Sequence, residues 1–405
     1  MFWFWFWFVM GLLMIVSDVA WWAVALRFAN RRLWRVLVSV FMGGQLAAHL
    51  SSMAGLDWAN HVPQAVVVLL VVWHFGALVL GLAVLLPLGI VRGWVWLIRR
   101  IARVRGVPPN PPLAAAASVN SPTRREFIGA LSALAPPLFT VGVTGVALAQ
   151  LKSFRVRRLT LSMPTLPRAL DGMTIVHVTD MHVGGLTSTR VLRQMVNTTN
   201  ALRADLVLLT GDLIDHVMAD LAEGIALVKA LEGRYGLWMI EGNHDLIADG
   251  REFERRVMAA GVPLLLDGSA VANVRGYPVQ CFGLRWMDGG VAQRDRLIAL
   301  QMRDVLKHRQ PDAFPILLAH HPHAFDAAVK ADLPLTLAGH THGGQCMLDR
   351  QHGIGPVMFR YWSGLYARGR SQLVVSNGVG NWLPIRINAP AEIIHLTLRC
   401  ADTHG

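Results

Sequence analysis

The chain has 405 residues, 53% of them hydrophobic and only 16% charged, with 38 Lys and Arg against 26 Asp and Glu, a formal net charge of +12 and a mean hydropathy of +0.41. A charged share well under the usual ~25% excludes a disordered chain and an ordinary soluble enzyme. It fits a membrane protein, or a membrane segment joined to a soluble domain.

The distribution along the chain favours the second of these. Residues 1–91 hold six charged side chains, Asp18, Arg27, Arg31, Arg32, Arg35 and Asp57, and ten of the 14 tryptophans fall within residues 1–100. Three apolar stretches, 2–26, 33–55 and 62–91, each reach the roughly 20 residues a helix needs to cross a bilayer, and the third is long enough to require tilt. The Trp/Phe alternation at 2–8 resembles an interfacial aromatic belt more than a strand. Asp18 lies inside the first stretch. It reads as an intramembrane functional group or, more simply, as a carboxylate that snorkels to water or pairs with an arginine. His49 and His74 read as interfacial or satisfied residues, with a polar site between helices as the alternative.

Residues 92–125 carry seven arginines and the run GVPPNPPLAAAASVNSP, which reads as a linker because Pro108, Pro109, Pro111 and Pro112 bar a continuous helix. A fourth apolar segment, 126–150, follows TRREFIGA. That string reads either as an internal twin-arginine-like export signal or as the cytoplasmic flank of a fourth transmembrane helix. Both readings give one topology. Arginine-rich loops stay inside, so Asp57–His61 and everything after residue 150 lie outside. Lys152, Arg155, Arg157 and Arg158 oppose this orientation, but they alternate within a strand-like segment of the soluble domain. Residues 1–150 account for +8 of the net charge and the other 255 for only +4. The high pI of about 10.7 therefore reports membrane orientation. No basic stripe with interleaved aromatics points to nucleic acid. The three cysteines, Cys281, Cys346 and Cys400, form no CxxC pair or disulfide framework.

From residue 151 to 405 short apolar runs alternate with helical stretches such as 187–202 and 221–231. This pattern predicts a layered α/β domain. Five runs, MTIVHVTD, ADLVLLTGD, GLWMIEGNHD, FPILLAHHP and LPLTLAGHTH, each end in a potential metal ligand. They are Asp180 and His182, then Asp212, then Asn243 with His244 and Asp245, then His320 and His321, then His340 and His342. The carboxyl ends of strands in such a sheet form a common rim, so these side chains can converge. One bridging carboxylate and mixed nitrogen and oxygen donors suit two ions of Mn, Fe or Zn. Two ions about 3.5–4 Å apart would activate a water and stabilise both oxygens of a phosphoryl transfer.

The five strings in this order resemble the calcineurin-like metallophosphoesterases, with DxH, GD, GNH, H and GHxH. They look most like the bacterial YkuE-type membrane branch, whose C-terminal half GHTHGGQ, SGLYARG, VSNGVG and PIRINAPAEIIHLTL also resemble. The resemblance covers about residues 154–399 and implies a β-sandwich flanked by helices; the four apolar segments predict an all-α region of about four transmembrane helices before it. It implies Asp180, His182 and His342 on the first metal, Asp212 bridging, and Asn243, His320 and His340 completing the second site. His244 would stabilise the transition state or protonate the leaving oxygen, and Asp245 would orient it or cap the next helix. Of the His320/His321 pair, motif position favours His320.

The remaining polar residues read as structural. His177, His308, His323, His352 and His395 are expected to be satisfied side chains, Cys346 a packing residue, and Asp215 a cap or brace of its loop. The resemblance implies a membrane-anchored phosphoesterase that uses a metal-bound hydroxide on phosphodiester or pyrophosphate bonds. Only a few residues separate residue 150 from the first strand, which motivates a lipid-linked substrate. Some relatives cleave UDP-diacylglucosamine, a substrate made inside and therefore in tension with the outside topology. The alternative is a sensor or scaffold whose soluble domain binds without hydrolysing. A retired site would have lost a ligand, and none is missing.

Overall fold

The computed structural model describes residues 2–29, 31–53, 62–104, 124–287, 289–349, 352–353 and 355–401. The loop expected at 57–61 and most of the Pro/Ala-rich linker lie outside the described residues. The chain divides into two compact units, Met1–Val146 and Ala147–Gly405.

The first unit is helical: α1 (Phe2–Phe28), α2 (Arg32–Met53), α3 (Gln64–Val104) and most of α4 (Arg124–Leu151). Among the described residues three helices, not four, are long and apolar enough to cross a membrane: Phe8–Phe28, Arg32–Ser51 and Gly129–Leu151. The third expected span falls within α3, whose described apolar part is the shorter Gln64–Gly76. That helix also runs past residue 92, where the linker was expected to begin. No proline precedes Pro108 in this stretch, so nothing stops helix propagation through the arginines.

Asp18 neither snorkels nor meets an arginine. It is buried, accepts a hydrogen bond from Trp73 Nε1 at 2.8 Å and lies 3.2 Å from His74 Nε2. His49 stacks on His74 with ring centroids 4.9 Å apart, so the two histidines do meet between helices.

The described residues of the second unit form eleven strands: β1 (Phe154–Met163), β2 (Thr174–Val178), β3 (Leu206–Thr210), β4 (Leu237–Ile240), β5 (Gly268–Val274), β6 (Tyr277–Gly283), β7 (Phe314–Leu318), β8 (Leu335–Ala338), β9 (Gly364–Arg368), β10 (Ser371–Val375) and β11 (Ala391–Cys400). They form two sheets, ordered β1-β11-β2-β3-β4 and β5-β6-β7-β8-β10-β9. Strands β2, β3 and β4 are mutually parallel, as are β6, β7, β8 and β10.

The apolar strand runs are buried on both faces, as parallel strands require. Ile175, Leu206 and Leu208 pack with Ile316, Leu335 and Leu337 between the sheets. Their strand neighbours Val176, Val207 and Leu209 point the other way, as the period of two dictates. There they meet α5 (Thr189–Ala201), α6 (Leu221–Lys229) and α7 (Gly250–Ala259) through residues such as Met195, Val228 and Phe253. On the far side Phe282, Leu317 and Leu373 pack against α8 (Val291–Val305) and α9 (Ala324–Lys330). The β-sandwich flanked by helices is therefore present as expected.

Arg155, Arg157 and Arg158, whose charge opposes the expected topology, sit on β1. Arg155 donates to the buried Glu392 at 2.8 Å, and Arg157 lies 3.6 Å from the same carboxylate.

Candidate metal centre

All five ligand-bearing segments follow the last residue of a strand: Asp180 and His182 after β2, Asp212 after β3, Asn243 after β4, His320 after β7, and His340 and His342 after β8. Both sheets contribute, so the rim lies where the carboxyl ends of the two layers meet. The backbone turns sharply there. Asp180, His182, Asp212, His340 and His342 all have positive φ, between 41° and 71°. Such conformations cost about 1–3 kcal/mol each in non-glycine residues and gather at functional sites.

Two motif glycines allow the segments to close in. A Cβ on Gly242 would sit 2.1 Å from Asp212 Oδ1, and one on Gly339 would sit 2.1 Å from Thr179 Oγ1 and 2.3 Å from Asp180 Oδ2.

The donors fall into two groups that share Asp212. Asp180, His182, Asp212 and His342 present ligand atoms within 4.8 Å of one another, and so do Asp212, His320 and His340. In the first group His182 Nε2 lies 3.0 Å from His342 Nε2 and 3.4 Å from Asp212 Oδ2. His342 Nε2 is 3.2 Å from Asp180 Oδ1, while its Nδ1 is buried with no partner. In the second group His320 Nε2 lies 3.1 Å from Asp212 Oδ2 and 3.2 Å from Asn243 Oδ1. The structure thus brings every expected ligand to one place.

Orientation of the imidazoles supports a metal role. His182 donates from Nδ1 to Asp215 Oδ1 at 3.2 Å, and His320 donates from Nδ1 to the Thr210 carbonyl at 2.6 Å. Each therefore keeps Nε2 for the centre, the arrangement by which carboxylates and carbonyls orient metal-binding histidines. Without a cation these nitrogens face carboxylate oxygens, lone pair to lone pair, unless protons intervene. Two dications fit this donor set of imidazoles, carboxylates and one amide oxygen.

The electrostatics agree. Burial alone would raise Asp180 and Asp212, yet the surrounding histidines hold both well below the usual carboxylate range. Burial would lower His320, but the Asp212 charge and hydrogen bond raise it to about 9. Burial outweighs the acids at His340, which is well below its ordinary value, and at His342, lowered to about 4. These two are neutral imidazoles ready to bind. All these directions belong to the metal-free chain, because a bound dication becomes the dominant local charge.

His244 occupies the edge of the first group. Its Nδ1 donates to the Asp215 carbonyl at 2.7 Å, its ring meets that of His182 at 4.6 Å, and its backbone N–H donates to Asp212 Oδ1 at 2.8 Å. Burial opposes its protonation, but Asp215 and Asp212 raise it to about 9. Asp245 differs from expectation. It neither orients His244 nor caps the following helix. Its Oδ1 accepts from the N–H groups of Leu213 and Ile214 at 2.8 and 3.1 Å, and its Oδ2 accepts from Gly242 at 2.9 Å. It braces the two loops that carry Asp212 and Asn243. Burial and the Asp212 charge push it up to about 7.

The His321 ring lies 5.0 Å from that of His340, but both its nitrogens are engaged elsewhere: Nε2 accepts from Arg294 at 2.7 Å and Nδ1 from the His323 N–H at 3.2 Å. His177, His308, His323, His352, His395 and Cys346 stand in neither donor group.

Three neighbours carried little signal in the sequence. Asp215 orients both His182 and His244, a role its spacing from Asp212 only hinted at. Trp286 lays its ring 4.9 Å from His340 and 5.5 Å from His320. Arg386, fully buried, donates to Asn381 Oδ1 at 2.6 Å and to the carbonyls of Asn377, Gly378, Gly380 and Ala389. It stitches together the loop whose Gly380 N–H reaches the Asp180 carbonyl at 2.6 Å.

Residues 173–344, the span that contains all seven donors, match the family model for the calcineurin-like phosphoesterases. The chain is 30% identical over 299 residues to the uncharacterized metallophosphoesterase YkuE of Bacillus subtilis, covering 69% of this chain and 99% of that one. It is also 30% identical to a Campylobacter jejuni metallophosphoesterase (62% of this chain, 64% of that one), likewise uncharacterized. A Danio rerio transmembrane protein with a metallophosphoesterase domain is 28% identical, over 58% of this chain and 55% of that one. With a relative matched over nearly its whole length and every motif residue gathered at one rim, the chain belongs to the calcineurin-like phosphoesterase family.

Proposed function

We propose that the protein is a membrane-anchored phosphoesterase that hydrolyses phosphodiester or pyrophosphate bonds in lipid-linked substrates. The observation that carries the reaction class is the pair of donor groups sharing Asp212. Two divalent ions of Mn, Fe or Zn, when bound there, supply positive charge for the phosphoryl oxygens and lower the pKa of the attacking water.

The chain's own residues do the rest. Asp180, His182, Asp212 and His342 would hold one ion, and Asp212, Asn243, His320 and His340 the other. His244, with Nδ1 committed to the Asp215 carbonyl, keeps Nε2 as the atom from which a proton reaches the leaving oxygen. Asp245 takes no proton in this scheme; it keeps the Asp212 and Asn243 loops in register.

Two features support a substrate with an apolar tail. Only Lys152 and Ser153 separate α4 from β1, which supports a site near the bilayer surface. Val217 and Ile247, 43% and 58% exposed, follow Asp215 and His244 by two and three residues in the chain. The arginine-rich segments before α4 favour placing the domain on the outer face of the bacterial inner membrane. On that face a UDP-diacylglucosamine-like substrate is disfavoured, and other lipid phosphodiesters are preferred.

The test is Mn-dependent hydrolysis of bis-p-nitrophenyl phosphate by the full chain in nanodiscs. Activity that disappears in Asp212→Ala is expected. No turnover with any divalent metal, or full turnover by Asp212→Ala, would refute the reaction class. A C-terminal reporter fusion active only in the cytoplasm would overturn the outer placement and restore the nucleotide-lipid substrate.

A further inference from the structure

The last turn of α4 is hydrogen-bonded into a ledge beside the metal-binding loop that follows β8. Gln150 Oε1 accepts from the Asn388 N–H at 2.6 Å, and Asn388 Nδ2 donates to the Met347 carbonyl at 3.0 Å. The Met347 N–H donates to the Ile387 carbonyl at 2.8 Å. Gln345, three residues after the ligand His342, donates to the Leu383 and Ile385 carbonyls at 3.1 and 2.8 Å and accepts from the Leu383 N–H at 2.9 Å. One residue, Asn388, therefore ties the end of a helix long and apolar enough to cross a membrane to the loop that carries His342.

Two apolar side chains stand out from this ledge. Leu348 is 79% exposed, more than any other large hydrophobic residue among those described, and Trp382 is 39% exposed. A single exposed leucine is ordinary on a soluble domain. Here the Leu348 carbonyl accepts from Asn388 Nδ2 at 3.4 Å, Trp382 directly precedes Leu383, which Gln345 binds, and the exposed Lys152 follows α4 in the chain. From Leu151 to Phe154 there are three Cα steps, a reach of about 10 Å. The ledge is therefore tethered to the end of the apolar helix both by the chain and by the Gln150–Asn388 bond.

We propose that Leu348 and Trp382 seat the catalytic unit on the bilayer, so that the loop carrying His342 faces the lipid headgroups. The occupant of the ledge is the lipid interface. An indole ring suits the headgroup level, a leucine side chain the acyl boundary beneath it, and a lysine the anionic lipid surface. The consequence for turnover rests on the lipid-linked substrate argued above; the docking itself does not.

The experiment uses the full chain in nanodiscs, with a polarity-sensitive NBD label on Leu348→Cys in a Cys346→Ser, Cys400→Ser background; Cys281 is buried. The comparison label sits on Val271→Cys, 41% exposed on β5. Nitroxide lipids are expected to quench the label at 348 and to leave that at 271 unchanged. Equal quenching at both positions, or a blue-shifted label at 348 that nitroxide lipids do not reach, as a second copy would produce, overturns the docking surface.

In parallel, the double variant Leu348→Asp, Trp382→Asp is assayed on a diacylglycerol-linked p-nitrophenyl phosphodiester in the same bilayer. Turnover at low substrate is expected to fall on the order of tenfold, the loss that one unburied leucine implies, while bis-p-nitrophenyl phosphate is cleaved as before. Equal loss on both substrates overturns the docking role. A quenched label in a parent protein that cleaves only the soluble ester leaves the docking surface standing and removes the lipid-linked substrate. An unquenched label in a parent that cleaves the lipid ester does the reverse.

Discussion

Asp215 holds two histidines with one oxygen: its Oδ1 lies 3.2 Å from Nδ1 of His182 and 3.2 Å from Nδ1 of His244. The same carboxylate therefore orients a donor of the first metal group and the group placed to protonate the leaving oxygen. Its second oxygen is taken by His216 Nδ1 at 2.8 Å. In the proposed mechanism, metal binding and proton supply would therefore both depend on this one side chain.

Asp215→Asn keeps the shape and removes the charge. Losing such a partner typically lowers metal affinity about 10–100-fold, and that loss is expected in a chelator-competition titration. In the metal-free variant, imidazole NMR should show His244 giving up its proton below the value of about 9 that it has beside Asp215. Unchanged metal affinity together with an unchanged His244 titration would show that Asp215 is a bystander.

Metal uptake should depend on pH through His320. Folding raises this histidine from 6.5 to about 9, against the effect of burial, because Asp212 faces it. Its pairing with Asp212 thus stabilises the metal-free chain fully below pH 6.5, and that contribution is lost as the pH climbs through about 9. A cation at Nε2 must displace this proton. Apparent affinity is expected to rise about tenfold per pH unit between neutrality and the His320 pKa and then level off. Calorimetry in buffers of different ionisation enthalpy reads the released proton directly; no proton release near pH 7 contradicts the assignment of His320.

The two close-packed glycines should tolerate no side chain. A Cβ on Gly242 overlaps Asp212 Oδ1, and one on Gly339 overlaps Thr179 and Asp180. Gly242→Ala and Gly339→Ala are expected to fold but to bind fewer than two ions per chain by elemental analysis, because the carboxylates are displaced. Gly261→Ala is the comparison. It also has positive φ, at 76°, but nothing lies within 4 Å of its Cβ position, so it should lose a little stability and keep its metals.

The seven donors were legible in the sequence because each follows a short apolar run, and strand ends in a layered sheet must share a rim. His320 and His321 illustrate what sequence alone leaves open. Adjacent residues differ only in direction, and the hydrogen bonds to Thr210 and Arg294 set those directions. Asp245 draws two of its donors, Leu213 and Ile214, from a loop 32 and 31 residues away, and Arg386 binds carbonyls of its own irregular loop; no periodic pattern encodes either set of partners. The helical region was legible in composition but not in its divisions, since arginines after residue 92 continue a helix as readily as they begin a linker. Asp18 paired with Trp73 and His74, 55 and 56 residues away in sequence, for the same reason that Asp245 was missed: the partner sits on another element.

Asp245 and His244 are neighbours in sequence with separable roles, and two substitutions tell them apart. Asp245→Ala strips the acceptor from the N–H groups of Leu213, Ile214 and Gly242. A buried donor left unsatisfied costs about 1–3 kcal/mol, so the melting temperature should fall by several degrees and metal occupancy with it. His244→Ala removes a half-buried ring whose one backbone partner is the Asp215 carbonyl, and should melt closer to the parent than Asp245→Ala does. Its turnover at saturating metal is expected to fall about 10²–10⁴-fold, the range for a lost general acid. Thermal melts and metal-saturated kcat values together decide the matter. An Asp245→Ala protein that melts like the parent yet loses turnover would return Asp245 to the reaction itself, with the bracing bonds as incidental contacts.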